Sequence, residues 1–151
     1  MKRFLLAPLL LLLFFCKSDL PLSKSIQGNW QIFSNTTVDS VYYVEIFIDS
    51  NLIHFFMDNV GTTPSRHYYI QNDSLFIESF SSDSFLNIGK ITLEKGLLKI
   101  SNNKELLTYR KIKDGLTLED VIKSDENKNG LGPIFFKRMD KWKREVSEIN
   151  K

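Results

Sequence analysis

The sequence has few of the residues that most often carry chemistry. Its 151 residues include one cysteine, Cys16, and two histidines, His54 and His67. A single cysteine excludes an internal disulfide, and two histidines fall short of the three or four ligands that zinc takes. The sequence also lacks Gly-x-Ser-x-Gly, His-Glu-x-x-His, Cys-x-x-Cys and a glycine-rich phosphate loop. We therefore predict no catalytic residue, no metal site and no cofactor, and a protein that is not an enzyme.

A calcium loop is only half present near the C-terminus. Asp125, Asn127 and Asn129 stand at ligand positions 1, 3 and 5, and Gly130 stands at the turn position. Position 12, which must supply a bidentate Glu, is Phe136. We expect a solvated polar loop there rather than a calcium site.

The long apolar runs are confined to the N-terminus, where Phe4–Phe15 follows Lys2 and Arg3. Twelve residues are too few for a membrane span, which needs about 20, so residues 1–15 are predicted to be a signal peptide. The run ends at Cys16, and this arrangement resembles bacterial lipoproteins. The resemblance implies cleavage before Cys16, lipid attachment to its thiol with acyl chains such as palmitate, and a membrane-anchored protein of the bacterial cell envelope, outside the cytoplasm. An uncleaved apolar anchor and an ordinary signal cut further on are the alternatives.

The charge balance excludes nucleic acid as a partner. Without the first 15 residues, the chain has 18 basic and 18 acidic residues, whereas nucleic-acid binding requires a basic face. Residues 16–25 show no sustained period and are predicted to be a lipid-anchored tether. The membrane would then be contacted through the lipid and not through charge.

Short β-rich runs separated by turn residues fill the middle of the chain. Their regular spacing predicts an all-β antiparallel domain. The eight predicted strands are 29–34, 41–49, 51–57, 66–71, 74–79, 85–93, 97–101 and 105–112.

Alternation along these strands predicts which side chains face inward. The candidates for the interior lining are Val44, Ile46, Ile48, Tyr68, Ile70, Ile77 and Ile100. The other face is not cleanly polar, because thirteen aromatic residues occur between Gly28 and Ile112. Either part of the outer surface is covered, or these rings surround a pocket.

Three segments in order resemble the lipocalin-like domains of bacterial lipoproteins: Gly28-Asn29-Trp30, the hairpin 68–77, and the last strand 106–112. The resemblance implies an up-and-down eight-stranded barrel over residues 26–112. It also implies that Arg110 packs over Trp30 and closes one end of the barrel. A small apolar molecule held in the barrel is the ligand class that it suggests.

A helical tail is predicted for residues 113–151. Thr117 and Asp120 have the spacing of a helix start, and Pro133 begins a longer helix. Its apolar residues follow one stripe, with basic residues, Arg138 among them, on the other faces. This helix could dock on the barrel, lie on the membrane, or bind a partner protein.

Two functions remain open at this point. One is a lipid-anchored envelope lipoprotein whose barrel binds a small apolar ligand. The other is a non-enzymatic envelope interaction module, with a filled barrel, that binds a protein partner through its surface or its C-terminal helix.

Overall fold

The structure is a computed structural model that describes residues 21–35, 42–58, 60–124 and 132–149. The predicted signal peptide, Cys16 and the calcium-like segment 125–130 lie outside these residues. Within the described ranges, no helix is both long enough and apolar enough to span a membrane.

The strands form one closed antiparallel barrel. The strands are β1 (Gly28–Asn35), β2 (Val44–Ile48), β3 (Leu52–Met57), β4 (Gly61–Thr62), β5 (Arg66–Gln71), β6 (Ser74–Glu78), β7 (Phe85–Glu94), β8 (Leu97–Ser101) and β9 (Leu106–Lys111). The two-residue β4 pairs only with β3; each of the other eight strands pairs with the next of the eight along the chain, and β9 returns to pair with β1. This confirms the predicted up-and-down eight-stranded barrel.

The barrel has two ends of different character. At one end, which we call the Trp30 end, β5–β6 and β7–β8 are joined by the tight turns Asn72-Asp73 and Lys95-Gly96. All four turn residues have positive φ, as such two-residue hairpins require. The longer connections 58–65, 79–84 and 102–105 lie at the other end, which we call the open end.

A bulge in β7 shapes the interior. Leu75 pairs with Gly89 and Phe76 with Asn87, so Ile88 is the extra residue. Gly89 has φ +145°, and a Cβ there would collide with the carbonyl group of Ser101. The bulge shifts the alternation of β7, so that Leu86, Ile88 and then Ile91 face inward. Ile91 lies beside Ile100 of β8.

Trp30 and a short helix close the Trp30 end. The Trp30 indole N–H donates to the carbonyl of Ile26 at 2.7 Å, and both residues are buried. Ile26 follows the helical turn α1 (Leu22–Ser25), which contacts β5. The last four residues of the predicted tether therefore belong to the folded domain, which corrects the boundary at residue 25.

Two further helices cover the outer wall of the barrel. Thr117 caps α2 (Leu118–Lys123) with a reciprocal pair of bonds to Asp120, as the sequence predicts. The start of α2 is fixed to β1, since the Asn29 amide donates to Glu119 at 3.0 Å and accepts from its backbone N–H at 3.1 Å.

The helix α3 (Gly132–Ile149) docks on β2 through Arg138 and Glu45, and on β3 through Phe135 and Phe56. Phe135 stacks on Phe56 at 4.4 Å between ring centroids, and Trp142 packs edge-on against Tyr43 at 5.5 Å. Docking on the barrel was one of three alternatives for this helix, and it accounts for part of the aromatic surplus on the strands. Among the described residues, those of the hydrophobic core run from Leu22 to Val146.

Candidate functional site

A cavity of about 240 Å³ lies inside the barrel toward the open end. Seven of the eight barrel strands line it; β1 does not. Its floor is formed by inward side chains, and its upper part by loop residues of the open end. The apolar side chains that line it are Ile46, Ile53, Phe55, Met57, Leu75, Ile77, Phe80, Leu86, Ile88, Ile100, Leu107 and Tyr109.

The predicted lining residues divide into three groups. Ile46, Ile77 and Ile100 line the cavity itself. Val44 lines a neighbouring recess of about 340 Å³ that shares Met57, Leu107 and Tyr109 with the cavity. The other three do not line the cavity: Ile48 is fully buried, and Tyr68 and Ile70 are half-buried.

The lining residues of β3 were not among those predicted from the sequence. Ile53, Phe55 and Met57 face the cavity, while His54 and Phe56 lie on the outer face. Apolar residues stand on both faces of this strand because α3 covers its outer side. Alternation of apolar and polar residues was therefore not visible there.

Apolar side chains at the open end are exposed. Phe80 is 75% exposed and Leu86 is 53% exposed, although both line the cavity. Tyr42 and Val60, which line the neighbouring recess, are also exposed. A barrel mouth with an apolar rim and an apolar interior suits an apolar guest.

One charged side chain enters this apolar site. Arg66 is only 6% exposed, lines the cavity, and donates from Nη1 to the backbone oxygen of Glu78 at 2.5 Å. Its guanidinium carbon lies over the ring of Phe80. The Nε of Arg66 is buried without a hydrogen-bond partner, and among the described residues only Trp142 Nε1 shares that condition.

The alternation of β5 in the sequence also indicates an inward position for Arg66. Arg66, Tyr68 and Ile70 alternate along one strand, so the same rule that placed two of them inward also applies to the third. Burial lowers the pKa of Arg66, and the nearby Glu78 carboxylate acts in the opposite direction. A guanidinium titrates so far above neutrality that Arg66 stays positively charged.

Arg110 does not occupy the predicted position over Trp30. The register pairs Trp30 with Lys111, whose ammonium lies 5.5 Å from the Trp30 ring, and pairs Arg110 with Gln31 on the outer face. There Arg110 bonds Glu145 of α3 at 2.8 Å. The predicted closure is thus corrected to Trp30 with Lys111, because neighbours on a strand point to opposite sides.

A second polar cluster lies under α3 and away from the cavity. Arg138 donates to both carboxylate oxygens of the fully buried Glu45, at 2.8 Å each, and to the carbonyl of Leu116 at 2.6 Å. The Tyr43 hydroxyl donates to the same carboxylate. Burial and then the Glu45 charge raise the pKa of Tyr43, so it stays protonated. Arg138 was expected on a solvent face of the helix and instead fixes the helix to the barrel.

The histidines are not brought together. His54 is buried, stacks on Phe47 and lies 3.4 Å from Asp49, while His67 is exposed on β5. In the part of the chain that the structure describes, no group of three or more His, Cys, Asp or Glu side chains could hold a metal ion.

No protein-family model, curated protein or solved structure matches this chain.

Proposed function

We propose that this protein is a lipid-anchored binding protein of the bacterial cell envelope, and that its barrel holds a small apolar molecule. The observation that carries the proposal is the apolar cavity of about 240 Å³ toward the open end. Burying apolar surface of a guest in such a site provides the driving force for binding.

The cavity volume limits the size of the guest. A dry protein cavity of about 150 Å³ holds benzene, which has six carbon atoms. In the same proportion, the cavity of about 240 Å³ holds roughly ten non-hydrogen atoms. A single chain of about eight carbons or a small ring system fits this limit.

A lipid anchor on Cys16 would leave the open end of the barrel accessible. The chain between Cys16 and α1 can extend over about 20 Å at most, and α1 lies at the Trp30 end. A lipid on Cys16 would therefore hold the Trp30 end toward the membrane. The open end would remain accessible to a ligand.

The second function, an interaction module that acts through its C-terminal helix, has less support. Phe135, Met139 and Trp142 form the apolar face of α3, and all three are buried in the hydrophobic core. That face is thus not available for a partner while the helix is docked.

Isothermal titration calorimetry with 1-octanol tests the proposal. The protein is residues 17–151, which contain the whole described core and lack the apolar N-terminal run. We expect saturable binding with a Kd between about 10 µM and 1 mM, the range for a neutral ligand of this size. The substitution Ile77→Phe fills the cavity and should weaken binding at least about tenfold, because the guest then has no room.

The matched control is Ile122→Phe, which adds the same ring at an exposed position of α2. It should leave the affinity unchanged. Absence of saturable binding to the unmodified protein would contradict the proposal. So would equal affinities for the unmodified protein and the Ile77→Phe variant.

A further inference from the structure

Two guanidinium groups that contact the barrel are in opposite situations. Arg138 of α3 makes three hydrogen bonds, two to a carboxylate and one to a carbonyl. Arg66 has one backbone carbonyl, and its buried Nε has none. Among the described residues, no carboxylate lies within ion-pair distance of Arg66.

The acidic residue whose charge acts on Arg66 is Glu78, and its carboxylate is engaged elsewhere. Glu78 belongs to β6, and its carboxylate accepts the backbone N–H of His67 at 3.2 Å on the exposed side of the hairpin. Only its backbone oxygen reaches Arg66. A buried charge without a partner is unfavourable unless something supplies the opposite charge.

The free part of the Arg66 guanidinium has the geometry for a carboxylate. Nη1 donates to the Glu78 carbonyl, and the guanidinium carbon lies over the Phe80 ring. On the edge that carries Nε, the Nε–H has no acceptor among the described residues. That edge offers two parallel N–H donors, the arrangement that binds a carboxylate in a bidentate manner.

We propose that the ligand is an amphiphile with an anionic head: its carboxylate binds Arg66 at the mouth, and its apolar chain fills the cavity. This inference rests on the proposed function and adds the chemical class of the ligand. With roughly ten non-hydrogen atoms in total, a medium-chain carboxylate such as octanoate is the size that fits.

The test compares three probes with the same chain and different heads. Octanoate, octanamide and octylammonium are titrated into residues 17–151 by calorimetry at neutral pH. Octanoate should bind at least about tenfold more tightly than octanamide, because only the carboxylate pairs with the guanidinium. Octylammonium should bind more weakly than octanamide, because it is repelled.

Substitutions of single arginines test whether Arg66 causes the preference for octanoate. Arg66→Met should reduce the preference for octanoate over octanamide to less than about threefold, and Arg66→Lys should keep part of it. The control is Arg110→Met, which removes a cation from the outer face of the barrel and should leave the preference unchanged. The ligand comparison in the unmodified protein holds even if an Arg66 variant fails to fold.

The two proposals fail in different ways. Equal affinities of the unmodified protein for octanoate and octanamide would overturn the assignment of the anionic head and leave the apolar binding function standing. An undiminished preference in Arg66→Met would also overturn the role of Arg66. Absence of binding for all three probes would overturn the binding function itself.

Discussion

Arg138 of α3 reaches the barrel wall and donates two 2.8 Å hydrogen bonds to the two carboxylate oxygens of Glu45. The Glu45 side chain is fully buried, and that of Arg138 is 17% exposed. Burial alone would lower the pKa of Arg138, but the Glu45 hydrogen bond and charge raise it above its ordinary value. This pair joins the helix to the sheet at the centre of the interface between Phe135 and Trp142.

Removing one partner of this pair should destabilise the protein strongly. Arg138→Met leaves the Glu45 carboxylate buried without its cation, which costs about 3–5 kcal/mol in comparable buried pairs. We expect a drop of that size in the free energy of unfolding, measured by urea denaturation. Replacing both residues, as Glu45→Gln with Arg138→Met, should cost less than Arg138→Met alone.

Lys143 provides the control on the same helix. Its ammonium lies 3.8 Å from Asp58, and its side chain is half exposed. Lys143→Met should change the free energy of unfolding by less than about 1 kcal/mol, as exposed pairs do. Equal effects of Lys143→Met and Arg138→Met would show that the buried pair does not hold the helix.

A double-mutant cycle should distinguish the two cations that precede Ile112. Lys111 lies over the Trp30 ring, and Arg110 lies on the opposite face of β9. Trp30→Phe and Lys111→Met should show a coupling energy of about 0.5–2 kcal/mol, the range of cation–π contacts. Trp30→Phe and Arg110→Met should show almost none. Chemical denaturation of the single and double variants gives both coupling energies. A larger coupling of Trp30 with Arg110 than with Lys111 would support the pairing expected from the sequence.

The turn at Asp49 should make stability depend on pH in the acid range. Its Oδ1 accepts the backbone N–H groups of Asn51 and Leu52 at 2.7 and 2.6 Å. Burial alone would raise the pKa of Asp49, but these bonds and the contact with His54 hold the pKa below its ordinary value. Because the folded pKa is lower than the unfolded one, the stabilisation is present above about pH 4 and is lost as the pH falls through the folded pKa.

Asp49→Asn keeps an acceptor oxygen and removes the titration. We expect the midpoint temperature of thermal unfolding to fall more between about pH 5 and pH 2 in the unmodified protein than in Asp49→Asn. Asp83→Asn changes an exposed aspartate of the loop 79–84 and is the control. Identical pH profiles for Asp49→Asn and the unmodified protein would contradict this role of the turn.

The proposed lipid anchor predicts a defined effect of Cys16→Ser in the full-length chain expressed in bacteria. Each buried lipid methylene contributes about 0.8 kcal/mol of membrane affinity, so loss of the lipid should release the protein or leave its precursor uncleaved. Detergent phase partition and gel mobility measure both outcomes. If membrane association and mobility are unchanged by Cys16→Ser, the protein is not a lipoprotein.

The sequence was most informative where local chemistry decides structure. The breaks between the predicted strands 66–71 and 74–79, and between 85–93 and 97–101, coincide with the hairpin turns Asn72-Asp73 and Lys95-Gly96. Thr117 with Asp120 predicted the start of α2. The helical turn α1 and the two-residue β4 were missed, because four and two residues are too few to show a period.

The candidate site was less accessible from the sequence. Whether eight strands enclose a cavity depends on how the side-chain volumes fill the interior, and alternation alone does not give this. The predicted position of Arg110 was wrong because the register differs by one residue from the expected one. A shift of one residue exchanges the inner and outer faces of a strand. Arg66 was not predicted to line the interior, because arginine side chains are rarely buried.

The central claim is that the barrel interior binds an apolar molecule, and methyl NMR tests it most directly. Residues 17–151, with labelled isoleucine δ1 methyl groups, are titrated with 1-octanol. We expect shifts at Ile53, Ile77 and Ile100, which line the cavity, and no shifts at the exposed Ile122 and Ile134. Shifts confined to Ile122 and Ile134, or no shifts up to the solubility limit of the alcohol, would contradict it.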